Sequence, residues 1–355
     1  MTILSIMRPI RVKFSARTKA DQDPRLWLSL FPSQMPHFDG VDFTFDPTSR
    51  IYDWLVVYED LMFLEGERLS NRIEPLACAR QNTLLITTEP SKIKIYGPKF
   101  TAQFGHVMSR QPPEALGHPN QIVQTPPLRW YYGRPLNEGD NTYLCVDDLA
   151  KTPPLSKTQD LSTVCSNKQM GATLHRQRYK CVMALKDRLG DSFDVFGRGI
   201  RPINDKSEAM NNYRYHVTIE NNVESGYWTE KIADSFLAYC IPFYFGPADI
   251  QEVFPKEAVI PIDIFDIDGA EAIIREEIKP GSYEKRLPAL LKARNMVLND
   301  YNLMKVIAQT VKSHHAPKAS KVPGETIMGR HIFRRKHPIN AAKDVIHRVR
   351  INRRL

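Results

Sequence analysis

Residues 213–255, YRYHVTIENNVESGYWTEKIADSFLAYCIPFYFGPADIQEVFP, decide the fold. Tyr215, Val217 and Ile219 alternate as a strand with one apolar face. A polar loop follows, and Thr229-Glu230-Lys231 then starts a helix. Thr229 suits the N-cap, Glu230 suits the positive end of the helix dipole, and Ile232, Phe236 and Tyr239 form a buried stripe. A second apolar strand ends in the turn Gly246-Pro247. Strand, loop, helix and strand make a unit of α/β architecture with its chemistry at the loop.

Outward from this unit the same alternation continues. LSTVCS reads as a strand, 172–189 as a helix carrying Leu174, Tyr179, Val182 and Leu185, and Phe193–Phe196 as a strand ending in Gly-Arg-Gly. A strand over 258–262 and helices over 270–278, 286–298 and 301–312 complete a second domain. In the N-terminal half, strands are expected from Ile10, over 41–45, 54–58, 83–88 and 106–109, with a short helix over 99–104 and an aromatic cluster, LRWYYG, at 128–133. The expected organisation is an α/β domain over 1–150, a Pro-containing linker over 151–160, a second α/β domain over 161–315 and a basic tail over 316–355.

A chain of 355 residues, 42% hydrophobic and 25% charged, can bury two cores. The net charge of +9 is local: from Arg330 to Leu355 nine Lys/Arg face one acid, Asp344, leaving 40 basic and 39 acidic residues before it. The near-neutral body does not suggest a nucleic-acid partner. Five scattered cysteines lack CxxC spacing and read as reduced core residues. The longest apolar run, near 236–245, is shorter than the roughly 20 residues of a membrane span, and Arg8, Arg11 and Lys13 interrupt any signal-peptide core. The expected location is the cytoplasm.

Three places could carry chemistry. The helix start at 229–231 offers free N–H groups and the Lys231 charge to phosphate oxygens; the alternative is an ordinary capped helix with a solvated lysine. Arg198, between two glycines after a strand, could grip two phosphate oxygens or lie in a plain exposed turn. Glu89, ending a buried strand before Pro90, could act as a base or be an exposed turn residue. Asp266-Ile-Asp268 and Asp147-Asp148 precede helices and read as caps, and His175 and His216 lack ligand spacing, so no metal site is expected. Neither a P-loop nor a dinucleotide fingerprint occurs.

YRYHVTIENN, GYWTEKIADSF, IPFYFGP and AVIPIDIF, in that order, resemble the signature blocks of family 10 glycosyltransferases, the α1,3/4-fucosyltransferases, as bacterial members carry them. SNK at 166–168, DVFGRG at 194–199 and, more loosely, LLITTEPSKIKIYGPKFTAQFGHV in the N-terminal half extend the resemblance over roughly 83–312. It departs from the family pattern at Ile219 in the Phe-Glu-Asn block, at Trp228 in place of Val, and at Thr88 where Gly is usual. The resemblance implies a GT-B architecture of two Rossmann-like domains facing across a cleft, the nucleotide sugar held by the second and the acceptor by the first. It further implies Glu89 as the catalytic base, Arg198 and Lys231 at the donor diphosphate, and Asn221, Tyr227 and Glu230 near the base, sugar and ribose. The expected activity is inverting, metal-independent and cofactor-free transfer of fucose from GDP-fucose to a glycan hydroxyl in surface polysaccharide or lipopolysaccharide synthesis; the alternative is an inactive glycan- or nucleotide-sugar-binding module. The tail, helical from Ile339 with Val345, Ile346 and Val349 on one side and Arg348, Arg350, Arg353 and Arg354 on the other, suits an anionic inner membrane surface or remains solvated.

Overall fold

The computed structural model describes residues 8–17, 23–63, 66–67, 69–124, 129–135, 143–154, 156–168 and 174–352. The chain forms two compact units, one of residues 1–126 with 303–355 and one of residues 127–302.

The first unit is built on strands β1 (Ile10–Ala16), β2 (His37–Phe38), β3 (Val41–Thr44), β4 (Trp54–Tyr58), β5 (Ile73–Pro75), β6 (Thr83–Ile86), β7 (His106–Ser109) and β8 (Gln121–Val123). Seven of them form one sheet in the order β2-β3-β1-β4-β6-β7-β8, parallel except for the β2–β3 pair. Every residue of β4 (WLVVY) and β6 (TLLI) is buried, as continuous apolar runs in the middle of a parallel sheet require. One charge is buried with them. Lys13 Nζ on β1 donates to Glu74 Oε1 on β5 at 2.8 Å and to the carbonyls of Pro47 (2.8 Å) and Ser49 (3.1 Å). All three donors of the ammonium are thereby used, as burial of a charge demands.

The second unit holds β9 (Gln159–Val164), β10 (Phe193–Phe196), β11 (Tyr213–Ile219), β12 (Ile241–Phe245) and β13 (Ile260–Pro261), all parallel, in the order β10-β9-β11-β12-β13. Helices His175–Leu189, Glu230–Leu237, Ile267–Glu277 and Ser282–Asn299 connect and cover it. Lys157, inside the expected linker, is buried and donates to the carbonyls of Met210 (3.1 Å), Asn211 (2.9 Å) and Ala238 (2.6 Å). Residues 127–160 accordingly belong to the second unit. The expected boundary at 150 followed the prolines and missed this buried anchor. The strand expected over 258–262 shrinks to two residues because 256–258 form a turn of 3-10 helix.

At Leu303 the chain returns to the first unit. After helix Leu303–His314, strand β14 (Thr326–Met328) pairs antiparallel with β5, and helices Arg330–Lys336 and Pro338–Asn352 follow. These are not a solvated tail. Phe333 is 5% exposed and meets the Phe100 ring at 5.8 Å. The Asp60 carboxylate accepts from Arg330 N (3.0 Å), and Asp344 accepts from Lys99 N (2.9 Å) and Phe100 N (3.2 Å), capping the short helix Pro98–Thr101. The basic composition concealed a few well-placed contacts. Arg353 and Arg354 lie outside the described residues.

Phe333→Ala should therefore lower the unfolding free energy by about 3–5 kcal/mol, the cost of emptying a buried phenylalanine site. Urea denaturation monitored by circular dichroism measures it, and a change under about 0.5 kcal/mol, as for an exposed tail residue, would contradict the packing.

Candidate active site

The site of the second unit starts from one carboxylate. β11 runs out at Ile219, and the next residue, Glu220, continues the pairing through its N–H to Phe245 O at 2.8 Å. Its side chain is fully buried. Glu220 Oε1 accepts from Thr229 N (3.0 Å), Thr229 Oγ1–H straddles both carboxylate oxygens (2.8 and 2.7 Å), and Lys231 Nζ donates to Oε2 (3.1 Å). Thr229 is at the same time the N-cap of the Glu230–Leu237 helix, its Oγ1 accepting from Lys231 N at 3.4 Å and from Lys231 Nζ at 2.9 Å. Strand end, helix cap and lysine are thus fixed by one buried acid.

The helix after the cap is buried on every side past its first turn. Ile232, Phe236 and Leu237 are fully buried, and Ser235 Oγ meets Thr218 Oγ1 at 2.9 Å. Asp234, also fully buried, accepts from the N–H groups of Tyr131 (2.7 Å) and Tyr132 (2.9 Å) and pairs with Lys206. A second lysine is positioned in this way from the helix's other flank.

Over the carboxyl ends of β9 and β11 lies a pocket of about 190 Å³, lined among others by Ser166, Arg178, Lys206, His216, Glu230 and Lys231. Strand carboxyl ends are where open parallel sheets bind ligands. Arg178 Nη1 donates to Asn221 Oδ1 at 3.1 Å, while its buried Nε–H meets no acceptor among the described residues. Burial by itself would raise the Glu230 carboxyl, but the charges of Lys231 and Lys206 outweigh it and hold it at about 2. Burial would likewise lower Lys231, but the carboxylates of Glu220 and Glu230 hold it above its ordinary value. Lys231 stays protonated and Glu230 ionised near neutrality. His216 is pushed down to about 3 by burial, then by Lys206 and Lys157, and its Nδ1 pairs with Ser162 Oγ at 2.8 Å, so it is a neutral structural residue.

Of the residues singled out in the sequence, Glu230 and Lys231 line this pocket and Asn221 is tied to it through Arg178. Arg198 and Tyr227 do not line it. Arg198 is exposed in the loop after β10, where Gly197 (φ +131°) packs so closely that a Cβ would meet the Cys165 carbonyl oxygen at 2.1 Å. Tyr227 is half-buried in the loop before the helix, and Trp228 packs against Phe254 and Tyr301 at 5.2 and 5.0 Å. The unusual tryptophan thus serves the core. Glu89 sits half-buried in the first unit after β6; Gln111 Nε2 donates to its carbonyl at 2.8 Å and to that of Lys94 at 2.7 Å, pinning the loop. Asp266 caps a helix through Gly269 N at 2.9 Å, Asp268 pairs with Arg188, and Asp148 closes a cap on Cys145. Sequence reasoning missed Arg178, Lys206 and Glu220. Arg178 sits on a helix read for its apolar stripe, Lys206 opens a short 3-10 helix, Lys206–Ala209, that the reading passed over, and Glu220 was only a letter in a matched block.

Removing the Glu220 carboxylate leaves the Thr229 N–H without its acceptor and takes from Lys231 its buried counter-charge, so Glu220→Ala should destabilise the protein by about 3–5 kcal/mol in urea. Glu230 yields a pH signature. Its folded value lies below its unfolded 4.5, so its stabilisation is complete above pH 4.5 and is lost as pH falls through about 2. The stability difference between the parent and Glu230→Gln should shrink across that window in acid titrations. A difference independent of pH would place the carboxylate away from the lysines.

Residues 154–273, which contain β9–β13 and the whole pocket, match glycosyltransferase family 10 (fucosyltransferase), C-terminal part. An α-(1,3)-fucosyltransferase of Helicobacter pylori is 33% identical over 69 residues, 19% of this chain and 14% of that protein. The 4-galactosyl-N-acetylglucosaminide 3-α-L-fucosyltransferase of Homo sapiens is 30% identical over 121 residues, 32% of each chain. The matched segments therefore span a third or less of these relatives. A crystal structure of an α1,3-fucosyltransferase with GDP-fucose superposes over 90% of this chain and 94% of its own, with a TM-score of 0.51 at 16% identity, a likeness of fold. The fold is α/β of the GT-B type, and residues 154–273 are similar to the C-terminal part of the family 10 fucosyltransferases.

Proposed function

We propose that the protein is an inverting glycosyltransferase that moves fucose from GDP-fucose to a hydroxyl of a glycan acceptor, acting inside the cell in surface polysaccharide or lipopolysaccharide synthesis. The observation that carries this reading is the pocket at the start of the Glu230–Leu237 helix, where Arg178, Lys206 and Lys231 converge within the segment that matches the fucosyltransferase domain. A nucleoside diphosphate is the ligand that such a set of donors suits, since guanidinium and ammonium groups favour phosphate oxygens.

In this reading the second unit holds the donor and the first the acceptor. The acceptor oxygen attacks the anomeric carbon, the bond from that carbon to the phosphate oxygen breaks, and its electron pair leaves with GDP. Lys231, with Arg178 and Lys206, stabilises the charge that develops on the departing diphosphate. Asn221 and Glu230 orient the base and ribose of the nucleotide. Tyr227 and Arg198 keep the donor roles that the resemblance assigns them, from loops outside the pocket lining. Glu89 receives the acceptor's proton, a role resting on the resemblance of the TTEPSK segment. No metal or further cofactor enters the scheme.

Differential scanning tests the donor. GDP at about 100 times its dissociation constant should raise the stability by about 2.7 kcal/mol. Lys231→Ala should lose that response and about 10²–10³ in transfer rate, the range for removing one charge-stabilising donor. Glu89→Gln should keep the response to GDP and lose transfer. A chelator should leave the rate unchanged. Indifference to GDP would sink the donor assignment, and full transfer by Glu89→Gln would move the base elsewhere.

A further inference from the structure

In the sheet of the first unit β1, β4 and β6 run side by side and parallel, so their carboxyl ends meet. Arg17 follows β1, Glu59 and Asp60 follow β4, and Glu89 lies three residues past β6. The charges of all four act on Lys94 or Tyr96. Two cations are held against the Tyr96 ring, which is 1% exposed: Lys94 Nζ lies 4.4 Å from its centroid and the Arg330 guanidinium carbon 5.5 Å. The buried Tyr96 hydroxyl has no hydrogen-bond partner among the described residues, and the buried Arg330 Nε–H has no acceptor among them. The neighbouring acids are occupied. Glu59 accepts from Arg17 Nη1 (3.2 Å) and Thr88 Oγ1, and Asp60 from the N–H groups of Leu61 (2.8 Å) and Arg330 (3.0 Å). Neither forms a hydrogen bond or ion pair with Lys94 Nζ among the described residues.

Burial pushes the Lys94 ammonium down to about 8, with Arg330 and Arg17 acting in the same direction and Glu59 and Asp60 against it. Burial also holds the Tyr96 phenol above its ordinary value, so it stays an O–H donor. Near neutrality one ring thus gathers an ammonium, a guanidinium N–H and a phenol O–H. Lys94 is half-buried, which opens the cluster to solvent on its side. Buried donors without acceptors are costly, and two cations against one ring repel each other. An oxyanion placed among them relieves both. We infer that Lys94, Tyr96 and Arg330 bind an oxyanion, and that it is a phosphate or carboxylate group carried by the glycan acceptor. The assignment to the acceptor rests on the proposed transfer reaction; the site itself does not. Gln111 Nε2 holds the carbonyls of Glu89 (2.8 Å) and Lys94 (2.7 Å) together, so the loop that carries the acceptor's base also carries this cation. A hydroxyl at Glu89 and an anionic group at Lys94 then belong to one ligand, and the cluster selects a charged glycan over a neutral one.

Calorimetric titration of the full chain with glucuronate, glucose 6-phosphate and glucose at constant ionic strength tests this. At least one charged sugar should bind about tenfold more tightly than glucose; preference for glucose 6-phosphate assigns a phosphate, and preference for glucuronate a carboxylate. Tyr96→Phe keeps the ring and removes only the hydroxyl, and Lys94→Met removes only the charge. Each should weaken charged-sugar binding about tenfold. Neither breaks a hydrogen bond or ion pair among the described residues, so both should melt no lower than the parent and keep the stabilisation by GDP. Raising the pH from 7 to 9 should weaken glucuronate binding about tenfold, because the protonated fraction of free Lys94 falls by about that factor. Glucose binding as tightly as both charged sugars, or undiminished charged-sugar binding in both variants, would overturn the site. Loss of the GDP response in both variants would assign the anion to the donor and overturn the acceptor. A parent that binds charged sugars without responding to GDP would uphold the site and remove the donor reading on which its assignment to the acceptor rests.

Discussion

Everything distinctive in the second unit follows from burying the Glu220 carboxylate at the end of a central strand. A carboxylate without water must be surrounded by donors or lose its charge. The chain supplies the Thr229 N–H, the Thr229 hydroxyl and the Lys231 ammonium, each at 3.1 Å or less. Satisfying the acid therefore caps the next helix and fixes a lysine in the same step. Holding a long, rotamer-rich side chain in place costs up to about 2 kcal/mol of entropy, and here folding meets that cost before any ligand arrives.

The other pocket lysine is held by the same device. Asp234, a buried acid in the helix, gathers two backbone N–H groups from 131–132 and the ammonium of Lys206. Each cation thus enters the pocket already paired. With Glu230 beside them, the charges roughly balance. What the pocket offers an anionic ligand is a fixed array of donors rather than a large net charge, including the Arg178 Nε–H, which has no acceptor among the described residues. Such an array favours a ligand whose oxygens match its geometry over any anion that merely arrives.

Much of this could be read from the sequence, and the failures share a cause. Buried parallel strands announce themselves as near-continuous apolar runs, so β4, β6 and β12 were legible, and Thr-Glu-Lys marked the helix start correctly. Pattern reading ranks polar residues by whether they resemble a motif. Asp234, Lys157 and Lys13 resemble none and Glu220 was only a letter in a matched block, yet all four are buried charges; the first three find their partners in segments tens of residues away, and Glu220 finds its own across a loop. Their pairing is a tertiary fact. The prolines of 151–160 looked like a linker for the same reason: the burial of one lysine outweighs the local signal of two prolines.

In the C-terminal segment the amphipathic pattern was legible, but the face that packs on the first unit was not. Val345, Ile346 and Val349 form the obvious apolar side of the last helix, and periodicity alone would bury them. The structure exposes them and packs the helix through Asp344, His347 and Ile351 instead. The first unit accepts that less apolar face because it has specific needs there: two free N–H groups at Pro98–Thr101 that want a carboxylate, and a small apolar site at Ile95 and Ala115 that fits one isoleucine. A cap and one buried side chain suffice to orient a helix whose neighbour, through Phe333, is already anchored in the core. The more apolar face is left over by this choice and stays exposed among the described residues.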